Sequence, residues 1–217
     1  MLEKKVCPTR QQWLEARAGR IGGSEAASIV GLNPFMTNIR LWEIKTGKVK
    51  AEDISENEFV KFGTEAEPHL RDLFRLDHPQ FDVMYTENNM WINDQYPWAH
   101  ASLDGWILEK ETGRKGILEI KTTNIMQGGQ REKWKDRIPD NYFCQCLHYL
   151  MVTGWDFVVL KARIKSVYDG EVSAQIRHYT IERSEVEDDI KFLEEKERDF
   201  IRYIEEDKQP PLLLPNI

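Results

Sequence analysis

The sequence predicts an α/β (α+β) protein with a mixed central β-sheet flanked by helices. Three observations predict it. Helix signals crowd the first eighty or so residues, β-rich segments fill roughly 81–123, and one helix then precedes two further strand candidates and a closing helix. A chain of 217 residues, 41% hydrophobic and 11% aromatic, can bury one sizeable core, and no low-complexity linker or internal repeat divides it. We therefore expect a single domain over 1–217, with a helical N-terminal part (1–80), a sheet core (81–182), and a C-terminal helix and tail (183–217).

The elements follow in order. Thr9 with Gln12 has the form of a capping box and Gly19 stops what it starts, so a short helix is expected over about 10–18. Ser24 caps SEAASIV, which Gly31 ends, leaving the joint RIGGS between two helices. Asn33-Pro34 turns the chain into a helix through IRLWEIKTG that stops at Gly47, so the first fifty residues are expected to be helical. Ser55 and Glu58 form another capping box, opening a helix that reaches about Asp77 if it tolerates Gly63 and Pro68. The strand candidates are FDVMYT, NMWIN, WAHASLDGWIL and GILEIKTT, then, after a helix from about Asn141 to Val152, DFVVLKARI and SAQIRHYTIE. A last helix starts at Ser184, boxed by Glu187, with Val186, Ile190, Leu193, Phe200, Ile201 and Ile204 at helical spacing. Its EEKERD run reads as a solvated face, whereas the PPLLLP tail is too apolar for a solvated end and is expected to pack across its own domain, with a neighbouring subunit or a partner as the alternatives.

Several classes are excluded or disfavoured. No window approaches the roughly 18 consecutive apolar residues of a membrane span, and MLEKKVCPTRQQW lacks the apolar core of a signal peptide, so an intracellular protein without membrane association is expected. Cys7, Cys144 and Cys146 cannot complete a disulfide framework and are expected to be reduced, with Cys144 and Cys146 in the core; they also fall short of a four-cysteine set, so no iron–sulfur cluster is expected. A net charge of −7 argues against coating nucleic acid by bulk electrostatics but leaves room for a local basic groove.

The chemistry concentrates in SLDGWILEKETGRKGILEIKTT. Side chains alternate along a strand, so Glu119 and Lys121 face one way while Leu118 and Ile120 face the other. The turn-forming residues around Gly113 and Gly116 let this strand pair with the one after Asp104 as a hairpin, bringing Asp104 near Glu119. Two converging carboxylates repel unless a cation lies between them, and hard oxygen ligands suit Mg²⁺ or Mn²⁺. A lysine beside them can orient a water or stabilise charge developing on a phosphate. On the preceding helix Glu67 shares the inward stripe of Leu70 and Phe74, where it would join that metal or else pair with a neighbouring Arg or Lys, while Glu65 faces water. His100 and His148 read as packing or hydrogen-bonding residues, and Trp98, Trp106 and Trp134 as core or rim residues before base-stacking ones.

Asp104, a spacer of 14 residues, then Glu119-Ile120-Lys121, resembles the core of PD-(D/E)xK nucleases, whose restriction-endonuclease-like fold would be the sheet expected above. Four further motifs in order narrow the resemblance: RAGRIGGS (Arg17 to Ser24), the G-x-x-x-E of Gly63 to Glu67, the S-x-D-G of Ser102 to Gly105, and the P-x-x-Y-x-x-Q of Pro139 to Gln145. Together they resemble the lambda-type exonucleases, the YqaJ-type viral recombinase nucleases, over roughly Arg17 to Tyr149. That resemblance implies Asp104, Glu119 and the Ile120 backbone carbonyl as metal ligands with Glu67 at a second ion, Lys121 as catalytic lysine, and Gln145 holding water or phosphate. It implies Arg17 and Ser24, with Ser102, as contacts to the terminal 5′ phosphate and the DNA; Ser24 at a predicted helix start would favour an anion independently. It also implies two Mg²⁺ ions (or Mn²⁺), digestion of linear double-stranded DNA from the 5′ end, a homotrimeric ring, a single-strand annealing protein as partner, and action in the cytoplasm of a phage's bacterial host. The alternatives are an endonuclease of restriction or repair type on the same core and an inactive DNA-binding module.

Overall fold

The hairpin around Gly113 organises the molecule. In the computed structural model, which describes residues 1–125, 132–168 and 171–214, β6 (Gly105–Glu109) runs antiparallel to β7 (Lys115–Ile125) with Gly105 opposite Leu118. Gly113 takes φ of 74°, a left-handed conformation that glycine adopts without strain. The outer side of β6 carries β3 (Phe81–Met84), antiparallel. From β7 the chain passes to the helix α5 (Asp140–Thr153) and returns as β8 (Phe157–Tyr168), parallel to β7, and β9 (Glu171–Glu182) closes the sheet antiparallel. The result is a five-stranded mixed sheet in the order β3-β6-β7-β8-β9, with helices on both faces, as the sequence predicts.

The central strands are covered twice. Ile117, Val158, Leu160, Ala162 and Ile164 pack with α5 and with α6 (Glu187–Glu205), the latter through Ile190 and Leu193. Leu118, Ile120 and Val159 point the other way, toward Leu70 and Phe74 of α4 (Glu58–Asp77). Two-sided burial explains why these strands read as continuous apolar runs. The helix α4 is unbroken through both Gly63 and Pro68, and a Cβ at Gly63 would sit 3.2 Å from Thr122 Oγ1 of β7.

The first hundred residues depart most from expectation. Around α1 (Arg10–Ala18), capped by Thr9 as predicted, the chain forms β1 (Leu2–Val6) and β2 (Ile21–Gly22). The first pairs antiparallel with β4 (Asn89–Asn93) and the second parallel with β5 (Ala99–His100), so the first fifty residues are not all helical. Neither short strand alternates strongly enough to be read without its distant partner. WAHASLDGWIL likewise splits, because β5 and β6 pair with different sheets and the chain bends between them at Asp104.

Three caps also differ. The helix α2 (Gly23–Ile29) starts at Gly23, with Glu25 accepting from the Gly22 amide at 2.9 Å, so Ser24 lies inside the first turn and is not the cap. Asn57, not Ser55, caps α4, accepting from the Phe59 amide at 2.9 Å. A 3₁₀ turn over Arg183–Glu185 displaces the expected Ser184 cap, and α6 begins after Val186.

The helix α3 (Asn38–Lys45) packs Leu41 and Trp42 against Phe200 of α6. The tail lies along this junction, where Asn38 donates to the Pro211 carbonyl at 2.7 Å and accepts from the Leu213 amide at 3.0 Å. The tail thus packs on its own chain. One expectation about α6 is overturned: Glu197, in the middle of EEKERD, is fully buried. Among the described residues no helix is long and apolar enough to cross a membrane.

Candidate active site

The alternation of β7 sets the site. Glu119 and Lys121 project from the face that α5 covers, one residue out of phase with Leu118 and Ile120 beneath α4. Asp104 precedes β6 across the hairpin, and its Oδ2 accepts from the Ile120 amide at 2.9 Å. Lys121 Nζ lies 2.6 Å from Glu119 Oε1, which also accepts from Gln145 Nε2 at 2.7 Å. Gln145 and Tyr149, one helical turn apart on α5, meet at 2.9 Å, and Tyr149 Oη donates to the Ser102 carbonyl at 3.0 Å.

Around this centre opens a cavity of about 600 Å³. Arg17, Ser24, Glu67, Ser102, Asp104, Glu119, Lys121 and Gln145 all line it, so the side chains singled out in the sequence reach one space from five regions of the chain. Ile120 enters through its amide, while its side chain is buried on the opposite face. Ser24 is exposed in the first turn of α2, and the buried Ser102 hydroxyl has no hydrogen-bond partner. Glu65 is exposed and stands outside the cavity.

The charges are strained by their enclosure. Burial, then repulsion from Asp104, pushes the Glu119 carboxyl up to about 8, and the same two causes push Glu67 up to about 7. Burial also raises Asp104, against the pull of Lys121. For Lys121 burial works against the ammonium, but Glu119 and Asp104 outweigh it and hold the lysine firmly protonated. Glu119 Oε2 is buried with no hydrogen-bond partner at all.

Asp104 and Glu119 therefore fit a divalent cation: two enclosed, mutually repelling carboxylates share the single ammonium of Lys121, and one of their oxygens is left without a partner. Glu67 fits less directly. It is paired with Arg71, and among the described residues no three Asp, Glu, His or Cys side chains gather as a ready metal cage. Glu67 could join a metal only by giving up part of that pairing.

Arg71 is the neighbouring arginine with which the sequence allowed Glu67 to pair, though its further contacts were not evident there. It is buried, donates from Nε to the Asp104 carbonyl at 2.5 Å, binds Glu67, and lies 3.6 Å from the Tyr85 ring centroid. Its spacing of four residues from Glu67 on one helix was the available signal. Tyr149 was missed too, although it stands four residues beyond Gln145. His100 and His148 serve as hydrogen-bonding residues, Cys144 and Cys146 are buried in the core, and Trp134 is buried while Trp98 and Trp106 pack at its rim.

Residues 12–156 match the model of the YqaJ-like viral recombinase domain. The uncharacterized protein YqaJ of Bacillus subtilis (strain 168) is 32% identical over 158 residues, 72% of this chain; the chain spans only 46% of that relative's length. Among solved structures, the alkaline exonuclease LHK-Exo of Laribacter hongkongensis superposes with a TM-score of 0.68 at 20% identity, over 91% of this chain and 93% of that one. Its complex with dAMP gives 0.62 at 17% identity, with the same coverage of each chain. A phage-related exonuclease of Haemophilus somnus 129PT gives 0.51 at 15% identity, over 87% and 96%. At these identities the likeness is one of fold.

Proposed function

The chain belongs to the YqaJ-like viral recombinase domain family, and from that premise we propose that it is a metal-dependent deoxyribonuclease, digesting one strand of linear double-stranded DNA from the 5′ end to leave 3′ tails for recombination by strand annealing. The observation that carries this reading is the orphaned Oε2 of Glu119, buried beside Asp104 with Lys121 in contact. A divalent cation between the two carboxylates would give that oxygen a partner.

Each residue has a part. Asp104, Glu119 and the Ile120 carbonyl would hold Mg²⁺ or Mn²⁺, and Glu67 would reach a second ion on giving up part of its pairing with Arg71. When bound, the metal supplies Lewis acidity, activating water and neutralising charge on the scissile phosphate. Lys121, protonated, stabilises the negative charge that grows on the phosphate during in-line attack. Gln145 orients Glu119 through Nε2. Arg17, with Ser24 and Ser102 lining the same cavity, supplies the groups for a terminal phosphate. The crystallised complex of a protein of the same fold with dAMP supports a nucleotide as the occupant. A homotrimeric ring around the duplex and a single-strand annealing partner belong to the same proposal.

Linear duplex carrying a labelled 5′ phosphate tests it. Wild type with Mg²⁺ is expected to release label and wild type with EDTA none, while Lys121→Ala loses on the order of 10²–10³-fold in rate. Cleavage of covalently closed circles would shift the reading to an endonuclease on the same core. Undiminished DNA binding with no metal-dependent cleavage would make the chain a binding module.

A further inference from the structure

Behind the wall that carries Arg17 lies a buried polar chain that the chemistry above does not use. Arg17 Nε donates to His100 Nε2 at 3.0 Å, and the guanidinium carbon lies 4.0 Å from the Trp13 ring centroid. His100 is itself fixed from behind, because its backbone carbonyl accepts from His148 Nε2 at 2.9 Å. His148 Nδ1 is 2.6 Å from Glu197 Oε1, and Glu197 Oε2 accepts from Trp98 Nε1 at 3.3 Å. His148 and Glu197 are both fully buried, so this is an ion pair enclosed between α5 and α6, more than 15 residues from any acid of the cavity in sequence.

We propose that Glu197 and His148 are positioning residues for phosphate recognition: their buried pair locks the His100 backbone, and the His100 ring then aims the Arg17 guanidinium into the cavity.

Three features support that assignment over simple core packing. A buried ion pair contributes little net stability compared with apolar residues of equal volume, so stability alone does not account for this one. The ring of His100 must offer a lone pair to Arg17, and its surroundings enforce that state: burial, then the charge of Arg17 itself, pushes the imidazole down to about 2. With Nε committed to His100, Arg17 keeps both terminal nitrogens for the two oxygens of a phosphate, the bidentate geometry that makes arginine selective for it. The chain also explains Gly22. Paired with His100 across β2 and β5, it could not carry a side chain, since a Cβ there would lie 2.8 Å from His100 Cε1.

The inference rests on the reading of Arg17 as a ligand of the terminal phosphate, and the experiment separates the two. Duplexes identical except for a 5′ phosphate or a 5′ hydroxyl are digested by wild type, Arg17→Ala, Glu197→Gln, His100→Leu and His100→Gln. The rates yield kcat and KM for each end, and thermal melting accompanies every variant. Wild type is expected to prefer phosphorylated ends and Arg17→Ala to lose the preference. Glu197→Gln, which keeps the shape but not the charge, should lower the preference about tenfold, through KM on phosphorylated ends. His100→Leu should lose it, and His100→Gln, which offers Arg17 an oxygen acceptor, should retain most of it. Equal losses on both kinds of end, or losses that follow only the melting temperature, would overturn the positioning role while leaving the Arg17 reading intact. A wild type indifferent to the 5′ phosphate would overturn both.

Discussion

Glu119 carries a large electrostatic cost in the cavity. It is 1% exposed, faces Asp104, and pairs only one of its oxygens. Its carboxyl titrates near 8 in the folded chain but near ~4.3 when unfolded, so between those values the native state holds the extra proton. Where the native state binds more protons, stability falls as pH rises. The contribution is complete below the unfolded value and lost as pH passes the folded one, and Glu67, near 7, acts in the same direction. With chelator present we therefore expect wild type to lose melting temperature between pH 5 and 8. Glu119→Gln, free of the charge, should flatten that fall and melt roughly 3–10 °C above wild type at pH 8, given ~2–4 °C per kcal/mol for a chain of this size. Added Mg²⁺ should recover the wild type and not the variant, which should also be inactive. A wild-type melting temperature that climbs across this window would dispose of the charge-strain account.

At the scale of elements, the junction of β2 and α2 is decided by two glycines. A Cβ at Gly23 would fall 2.5 Å from Tyr149 Cε1 and 3.0 Å from Gln145 Cγ, so α2 lies against α5 only because that side chain is missing. We expect Gly23→Ala to cost ~1–3 kcal/mol in denaturant unfolding, as overpacking does, and to depress activity by moving Gln145 away from Glu119. Gly19→Ala, with open space around it, is the control that should do neither. An unchanged activity in Gly23→Ala would show that Gln145 does not depend on this contact. The same junction shows what the sequence could tell. The period-two pattern of β7, the turn at Gly113 and the helical spacing of α4, α5 and α6 were legible because they are local. So was the meeting of Asp104, Glu119 and Lys121, since a hairpin and one alternation fix it. Strands of two to five residues near the N-terminus were not, because their partners lie some eighty residues away. Glu197 was misread for a related reason: its neighbours in EEKERD face water, and only the fold brings His148 and Trp98 to it.

For the molecule as a whole, the tail decides between two uses of an apolar end. Asn38 is 2% exposed and spends its amide on the backbone of Pro211 and Leu213, while Leu213 lies over Gly31, 3.0 Å from where a Cβ there would stand. The strap thus ties the α2–α3 region, which carries the Ser24 wall of the cavity, to the C-terminal helix, to which Trp42 also bonds through the Tyr203 carbonyl at 3.1 Å. Removing everything after Gln209 takes both partners from Asn38 and uncovers the surface the tail shields, an expected loss of ~1–3 kcal/mol in the urea unfolding of the truncated chain. Because those bonds lie within one chain, the same truncation should leave the assembly mass measured by sedimentation unchanged. Leu212 and Leu214 nevertheless remain 51% and 72% exposed, apolar surface that a second copy could cover. A truncated protein that unfolds like the full chain but sediments as a smaller assembly would transfer the tail from the domain to the interface between copies.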